Sequence, residues 1–196
     1  MSDRRILLLD VMGTLVHDPF FVEVPAFFGM SLEELLAVKH PTAWIEFELG
    51  KIDEATFLPM FFRDGRGYDH QGLKRAMHGS YALLDGVCDL LEELHGAGVP
   101  MHALSNYTDW YTLIEDRVGL SRWVAWTFVS CRTGLRKPDP AAYANAVQQL
   151  SVCAADCVFV DDRGANCAAA RAVGMHAIEF CDARQLREEL VASGLL

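Results

Sequence analysis

The chain has 196 residues and a formal net charge of -10, with 52% hydrophobic and 22% charged residues. That composition excludes an intrinsically disordered chain, and the length suits one domain or a core with one sizeable insertion. The acidic balance argues against nucleic acid or an anionic membrane as partner, because both are bound by basic surfaces; a phosphate-bearing small molecule remains admissible where a metal ion or local cation offsets its charge.

Ile6-Leu7-Leu8-Leu9 is an apolar run without alternation that ends at Asp10, as expected of a strand buried on both faces of a parallel sheet. Met1 leads almost directly into it, so no signal peptide is expected. The segment 16–83 then reads as helices only. Ser31 with Glu34 forms a capping box opening one helix, with Leu32, Leu35 and Leu36 as its apolar face. Pro41–Leu49, Asp53–Phe62 and the region around Leu73–Met77 suggest three more. Such an insertion after the first strand is most simply a lid over the carboxyl edge of the sheet.

From Asp85 strands and helices alternate. Val87, Leu90, Leu91 and Leu94 share one helical face. Met101–Leu104 is a second strand, running into Ser105 and Asn106, and Trp126–Val129 a weaker third. Asp139-Pro140 reads as an N-cap and first-turn proline for a helix carrying Tyr143, Val147 and Leu150. Cys157–Val160 is another buried strand, leading into Asp161-Asp162. An alanine-rich helix over Ala165–Val173 stops at Gly174, His176–Ile178 is a weaker strand, and Leu186, Leu190 and Val191 face inward from a last helix. The expected fold is therefore α/β, with a parallel sheet, right-handed crossovers and helices on both faces. Its discontinuous core spans 1–15 and 84–196, and a small all-helical cap spans 16–83. No apolar run reaches the roughly 18 residues of a membrane span. The six cysteines show no Cys-x-x-Cys pair or zinc spacing, which favours reduced, mostly buried thiols in a cytosolic-type compartment.

In an open α/β sheet, ligands bind beyond the carboxyl ends of the strands, at the switch point of strand order. Asp10, Ser105, Asn106, Asp161 and Asp162 all stand at such ends, and Lys137 precedes a helix N-terminus. Carboxylates converging on one point repel each other unless a cation sits among them, which suggests Mg²⁺. Singly these residues have ordinary readings: Asp10 as a cap after a strand, Asp161-Asp162 as a loop pair, Lys137 as a surface lysine, Ser105 as a helix cap.

Together they resemble the haloacid dehalogenase superfamily. Asp10-Val11-Met12-Gly13-Thr14-Leu15 is similar to its first motif, Ser105 to its second, Lys137 to its third and Asp161-Asp162-x-x-x-Asn166 to its fourth, in order along nearly the whole chain. The resemblance implies a Rossmann-like core and a phosphatase in which Asp10 attacks phosphorus to form an aspartyl-phosphate that water hydrolyses. It also implies Mg²⁺ held by Asp10, the Met12 backbone carbonyl and Asp162, with Asp161 adjacent or acting through water. Ser105, Asn106 and Lys137 would hold the phosphoryl oxygens, Lys137 would offset the charge of Asp10, and Asn166 would orient the acidic pair.

Within the cap, Asp18-Pro19-Phe20-Phe21, Pro25–Met30, Lys39-His40-Pro41, Trp44–Glu48 and Asp64-Gly65-Arg66 resemble the flavin mononucleotide hydrolases of plant chloroplasts. That likeness implies flavin mononucleotide as substrate and riboflavin as product. It makes the plastid stroma an alternative to the cytoplasm, for a monomer or homodimer.

The chain departs from the superfamily at Met12, where an aspartate normally protonates the leaving group; the chloroplast enzymes resemble it in this. Slow turnover is expected unless another residue or a water supplies the proton, and His17 is one candidate. A catalytically weak protein binding a phosphorylated ligand is one rival reading. Metal-free dehalogenation of a 2-haloacid through an ester on Asp10 is another. Phe20, Phe21, Phe27, Phe28, Trp44 and Phe47 are expected mainly to pack the cap, with stacking on a flavin ring as the functional alternative. Arg63 and Arg66 read as solvated loop charges, His102 and His176 as satisfied core histidines, and Trp110 and Trp123 as packing residues.

Overall fold

A computed structural model describes residues 5–196; residues 1–4 of the expected core segment lie outside them. Five strands form one parallel sheet in the order β3-β2-β1-β4-β5: β1 (Ile6–Leu9), β2 (Met101–Ser105), β3 (Ala125–Val129), β4 (Cys157–Asp161) and β5 (His176–Glu179). The register pairs Leu9 with Ala103 on one side and with Val160 on the other. The strand order therefore reverses at β1, and the residues after β1 and β4 meet where a ligand crevice forms.

Helices α1 (Glu23–Phe28), α2 (Leu32–Val38), α3 (Ala43–Glu48), α4 (Glu54–Phe57) and α5 (His70–Ser80) lie between β1 and β2, before α6 (Val87–Gly96). The remainder are α7 (Tyr111–Val118), α8 (Ser130–Thr133), α9 (Pro140–Leu150), α10 (Gly164–Ala172) and α11 (Ala183–Ala192). The two-residue period of a strand sorts the core into two layers. Leu7, Leu9, Ala103 and Val160 pack with Leu90 and Leu94 of α6, Ile114 of α7 and Leu186 of α11; Leu8, Leu104 and Phe159 pack with Tyr143 of α9 and Cys167 of α10. Helices thus cover both faces.

The core over the first face continues without a break into the helical segment through Leu35, Phe47, Phe57, Leu73 and Met77. The chain leaves and re-enters the sheet region side by side: the His17 N–H donates to Ala82 O and the Leu84 N–H to Leu15 O, both at 2.9 Å.

Several local expectations hold. Ser31 and Glu34 form both bonds of the capping box, and Asp139 caps α9 by accepting the Ala141 N–H at 2.9 Å. Others are corrected. Leu36 is 49% and Val191 46% exposed, so each helix presents a narrower buried stripe than its leucine and valine content suggested. His176 is exposed on the edge strand β5, whereas His102 is half-buried and bonded to the Thr127 hydroxyl at 2.8 Å. All six cysteines are free, but Cys88, Cys153 and Cys181 are exposed, because they fall on helix and loop surfaces away from both core layers. Among the described residues, no helix is long and apolar enough to cross a membrane.

Candidate active site

The loop after β1 is built around Gly13, whose φ of +80° suits a residue without Cβ. A Cβ there would lie 2.9 Å from Asp162 Oδ2, so the Met12-Gly13 backbone runs against that carboxylate. The Thr14 hydroxyl accepts the Asp162 N–H at 3.1 Å, tying the two loops together across the switch point. Asp10, Asp161 and Asp162 each offer a carboxylate oxygen within 4.8 Å of the others.

Lys137, only 2% exposed, sits among them. Its ammonium is 2.7 Å from Asp10 and donates to Asp161 at 2.6 Å. Asp161 is enclosed further by the Asn166 amide, 3.0 Å from both carboxylate oxygens, and by the Arg163 N–H at 2.8 Å. Asn166 is itself held where the Tyr143 hydroxyl donates to its carbonyl at 2.9 Å. Burial pushes the Asp10 carboxyl up to about 7, against the downward pull of Lys137, with Asp161 adding to the rise. Asp162 is also raised, by burial first and Asp161 second, although its side chain faces solvent. Crowded oxygen donors of this kind, two with raised carboxyls, fit a hard divalent cation such as Mg²⁺.

Asn106 clamps Lys137 from its backbone side: its Oδ1 accepts the Lys137 N–H and its Nδ2 donates to the Lys137 carbonyl, both at 2.8 Å. It therefore positions Lys137, a role not visible in the sequence. The Ser105 hydroxyl is buried without a hydrogen-bond partner among the described residues.

These groups form the floor of a cavity of about 430 Å³ between the sheet edge and the helical segment, within the usual range for small-molecule sites. Asp10, Met12, Asn106, Lys137, Asp162 and Asn166 line it; Ser105 and Asp161 lie behind that surface. Phe20, Phe21 and Trp44 line it too, joined by Leu36, Phe57 and Trp110. Phe27, Phe28 and Phe47 do not: Phe28 packs between Phe61, Phe62 and Tyr68, and Phe47 stacks on Phe57 at 4.7 Å. Trp110, read from sequence as packing only, forms part of the wall, with its indole N–H donating to Glu54 at 2.5 Å.

His17 is corrected as well. Its Nε2 lies 3.0 Å from both oxygens of Glu23, the first residue of α1, and the ring does not reach the cavity. Sequence reasoning also missed the half-buried pair across the wall, where Arg136 donates to Glu48 at 3.1 Å, and the cavity positions of Asp18, Lys39 and Arg163. The Arg136–Glu48 pair links residues 88 apart in sequence, so no local pattern could reveal it. Arg66 folds back on Asp64 and over the Phe62 ring, as a solvated loop charge would.

A family profile for haloacid dehalogenase-like hydrolases matches residues 5–174. Flavin mononucleotide hydrolase 1 of Arabidopsis thaliana, a chloroplast protein, is 47% identical over 190 residues, covering 97% of this chain and 78% of that one. The sesquiterpene phosphatase astK of Aspergillus oryzae is 30% identical over 159 residues, covering 78% of this chain and 80% of that one. Among solved structures, a haloacid dehalogenase-family enzyme of Bacteroides thetaiotaomicron in a magnesium complex superimposes with a TM-score of 0.73. It is 19% identical and covers 90% of this chain and 93% of that one, a likeness of fold.

Proposed function

The chain belongs to the haloacid dehalogenase-like hydrolases and is a phosphoric monoester hydrolase, and from that premise we propose that it converts flavin mononucleotide to riboflavin. The observation that carries this reading is a single cavity with a charged floor of Asp10, Lys137 and Asp162 and a largely aromatic wall. A phosphate ester of a flat, largely apolar ring matches both ends, and the relative of 47% identity bears that substrate in its name.

In this reading Asp10 attacks phosphorus and the phosphoryl group passes to its carboxylate before water removes it. Lys137 opposes the rise of the Asp10 carboxyl and so favours its ionised form, and with the Ser105 hydroxyl it takes up charge that develops on the phosphoryl oxygens. Asp10, the Met12 carbonyl and Asp162 would hold Mg²⁺, with Asp161 behind them or reaching it through water. When bound, the ion neutralises the carboxylates and draws charge from the phosphoryl group. Asn106 and Asn166 position Lys137 and Asp161. Residues 1–15 with 84–196 act as the catalytic core and 16–83 as the cap that selects the ester, a division supported by the paired backbone at His17 and Leu84. Six free cysteines suit a reducing compartment, the cytoplasm or plastid stroma.

The test is phosphate release from flavin mononucleotide, sugar phosphates, nucleotides, a prenyl phosphate and p-nitrophenyl phosphate, with and without Mg²⁺, beside Asp10→Asn. Preference for flavin mononucleotide that needs both Mg²⁺ and Asp10 is expected. Preference for the prenyl ester would move the substrate to the class named for the Aspergillus relative, and release no greater than that of Asp10→Asn would refute the phosphatase.

A further inference from the structure

A departing alkoxide needs a proton, and a positioned acid supplies about 10²–10⁴ of rate. The acidic side chains on the cavity wall are Asp10, Asp18, Glu48 and Asp162, with His40 and Tyr107 beside them. Asp10 is the attacking group, and Asp162 belongs to the three-carboxylate cluster. Glu48 is held by Arg136 at 3.1 Å. The Tyr107 hydroxyl is 2.7 Å from the Tyr81 hydroxyl, and burial raises its pKa well beyond the ordinary 10. His40 caps α3, its Nδ1 accepting the N–H groups of Ala43 at 3.1 Å and Thr42 at 3.3 Å.

Asp18 has no such commitment. It stands where the chain passes from the sheet region into the first turn of the helical segment, on the wall that also carries Met12 and Asp162. One carboxylate oxygen accepts the Phe20 N–H at 2.9 Å; the other has no hydrogen bond among the described residues. Burial raises its carboxyl, Asp162 and Glu23 raise it further, and the Phe20 N–H and His17 pull it down. Tyr81 and Tyr107 are further titratable neighbours, and Lys39, His40 and Arg163 line the same cavity. A carboxylic acid held toward neutrality beside a reacting centre is the usual form of a proton donor.

We propose that Asp18 carries the proton of this reaction, in place of the residue that Met12 cannot provide; the inference rests on the phosphatase reading. As Asp10 forms its bond to phosphorus, the ester P–O bond breaks, its electron pair stays on the alkoxide oxygen, and that oxygen takes the proton of Asp18. Water then attacks the aspartyl-phosphate and gives a proton back to the Asp18 carboxylate, while the electron pair of the breaking P–O bond returns to Asp10. Asp18 ends as it began.

Asp18→Asn keeps an oxygen to accept the Phe20 N–H but has no proton to exchange. The readout is kcat/KM, which covers steps through formation of the aspartyl-phosphate, on flavin mononucleotide (or the best alkyl ester of the panel) and on p-nitrophenyl phosphate, whose leaving group departs unaided. The alkyl ester should lose at least about 100-fold and the aryl ester less than about tenfold. The variant should also release a burst of p-nitrophenolate ahead of slow turnover. Equal losses on both esters, or no loss on the alkyl ester, would overturn the role of Asp18 and leave the phosphatase standing. A second measurement needs no variant: kcat/KM of the native protein over aryl phosphates of graded leaving-group pKa. A shallow dependence is expected, and a steep one would overturn the proposal. Failure of the native protein to exceed Asp10→Asn on any ester would refute the phosphatase reading and Asp18 with it.

Discussion

Lys137→Met removes the cation from the middle of the carboxylate cluster while keeping most of its volume. The ammonium is 2% exposed and lies 2.7 Å from Asp10 and 2.6 Å from Asp161. Removing one partner of a buried pair costs about 3–5 kcal/mol, because the charge left behind is uncompensated. Asp161 retains the Asn166 amide and the Arg163 N–H, so the loss of a single pair is the appropriate magnitude. At about 2–4 °C per kcal/mol for a chain of this size, the unfolding midpoint should fall by roughly 6–20 °C. The effect carries a pH signature. Asp10, raised from 3.8 to about 7, holds its proton more tightly folded than unfolded, so its ionisation costs stability as pH climbs through that window. Lys137 limits that cost; without it the Asp10 carboxyl rises further, and the deficit of the variant widens with pH. Thermal unfolding followed by circular dichroism in a chelator, at about pH 5.5 and about pH 8, measures both terms. A midpoint shift below about 2 °C at the higher pH, or a larger deficit at the lower one, would refute the reasoning.

Mg²⁺ at about 100 times its dissociation constant should stabilise the native protein by about 2.7 kcal/mol, or roughly 5–11 °C, and Asp162→Asn should lose most of that gain; calorimetry with and without the ion checks it. Ser31→Ala removes the side-chain half of the α2 cap and should cost about 1 kcal/mol, or roughly 2–4 °C, with kcat unchanged because Ser31 does not line the cavity.

The charged cluster under the cavity was legible because it is assembled from strand ends. Apolar runs ending in Asp10, Ser105 and Asp161 announce strands and their carboxyl termini together, and in a parallel sheet those termini lie side by side. What the runs cannot show is which bonds each side chain makes once it arrives. Asn106 stands at such an end, yet its amide grips the Lys137 backbone, a contact spanning 31 residues. The helix α7 is weakly marked because Tyr111–Val118 mixes Thr, Glu, Asp and Arg with its apolar residues and fully buries only Ile114, while Tyr111, Leu113 and Val118 pack partly buried around it.

The helical segment was legible in its capping chemistry and misread in its facing. The spacing of Leu32, Leu35 and Leu36 predicts one buried stripe, but only Leu35 is buried, and Leu36 lines the cavity. The aromatic residues divide likewise, Phe28 and Phe47 inward, Phe20, Phe21 and Trp44 toward the ligand space. Hydrophobic periodicity reports that a residue avoids water without saying whether protein or ligand will cover it. A helical segment over a cavity has two apolar faces, and only one of them is covered by the fold. The exposed Phe21 and Leu36 at the cavity are therefore where the sequence is least informative about packing and most informative about substrate. Their apolar character, beside a floor where Lys137 sits among carboxylates, is what the proposed ester of a large ring would cover and a sugar phosphate would leave bare.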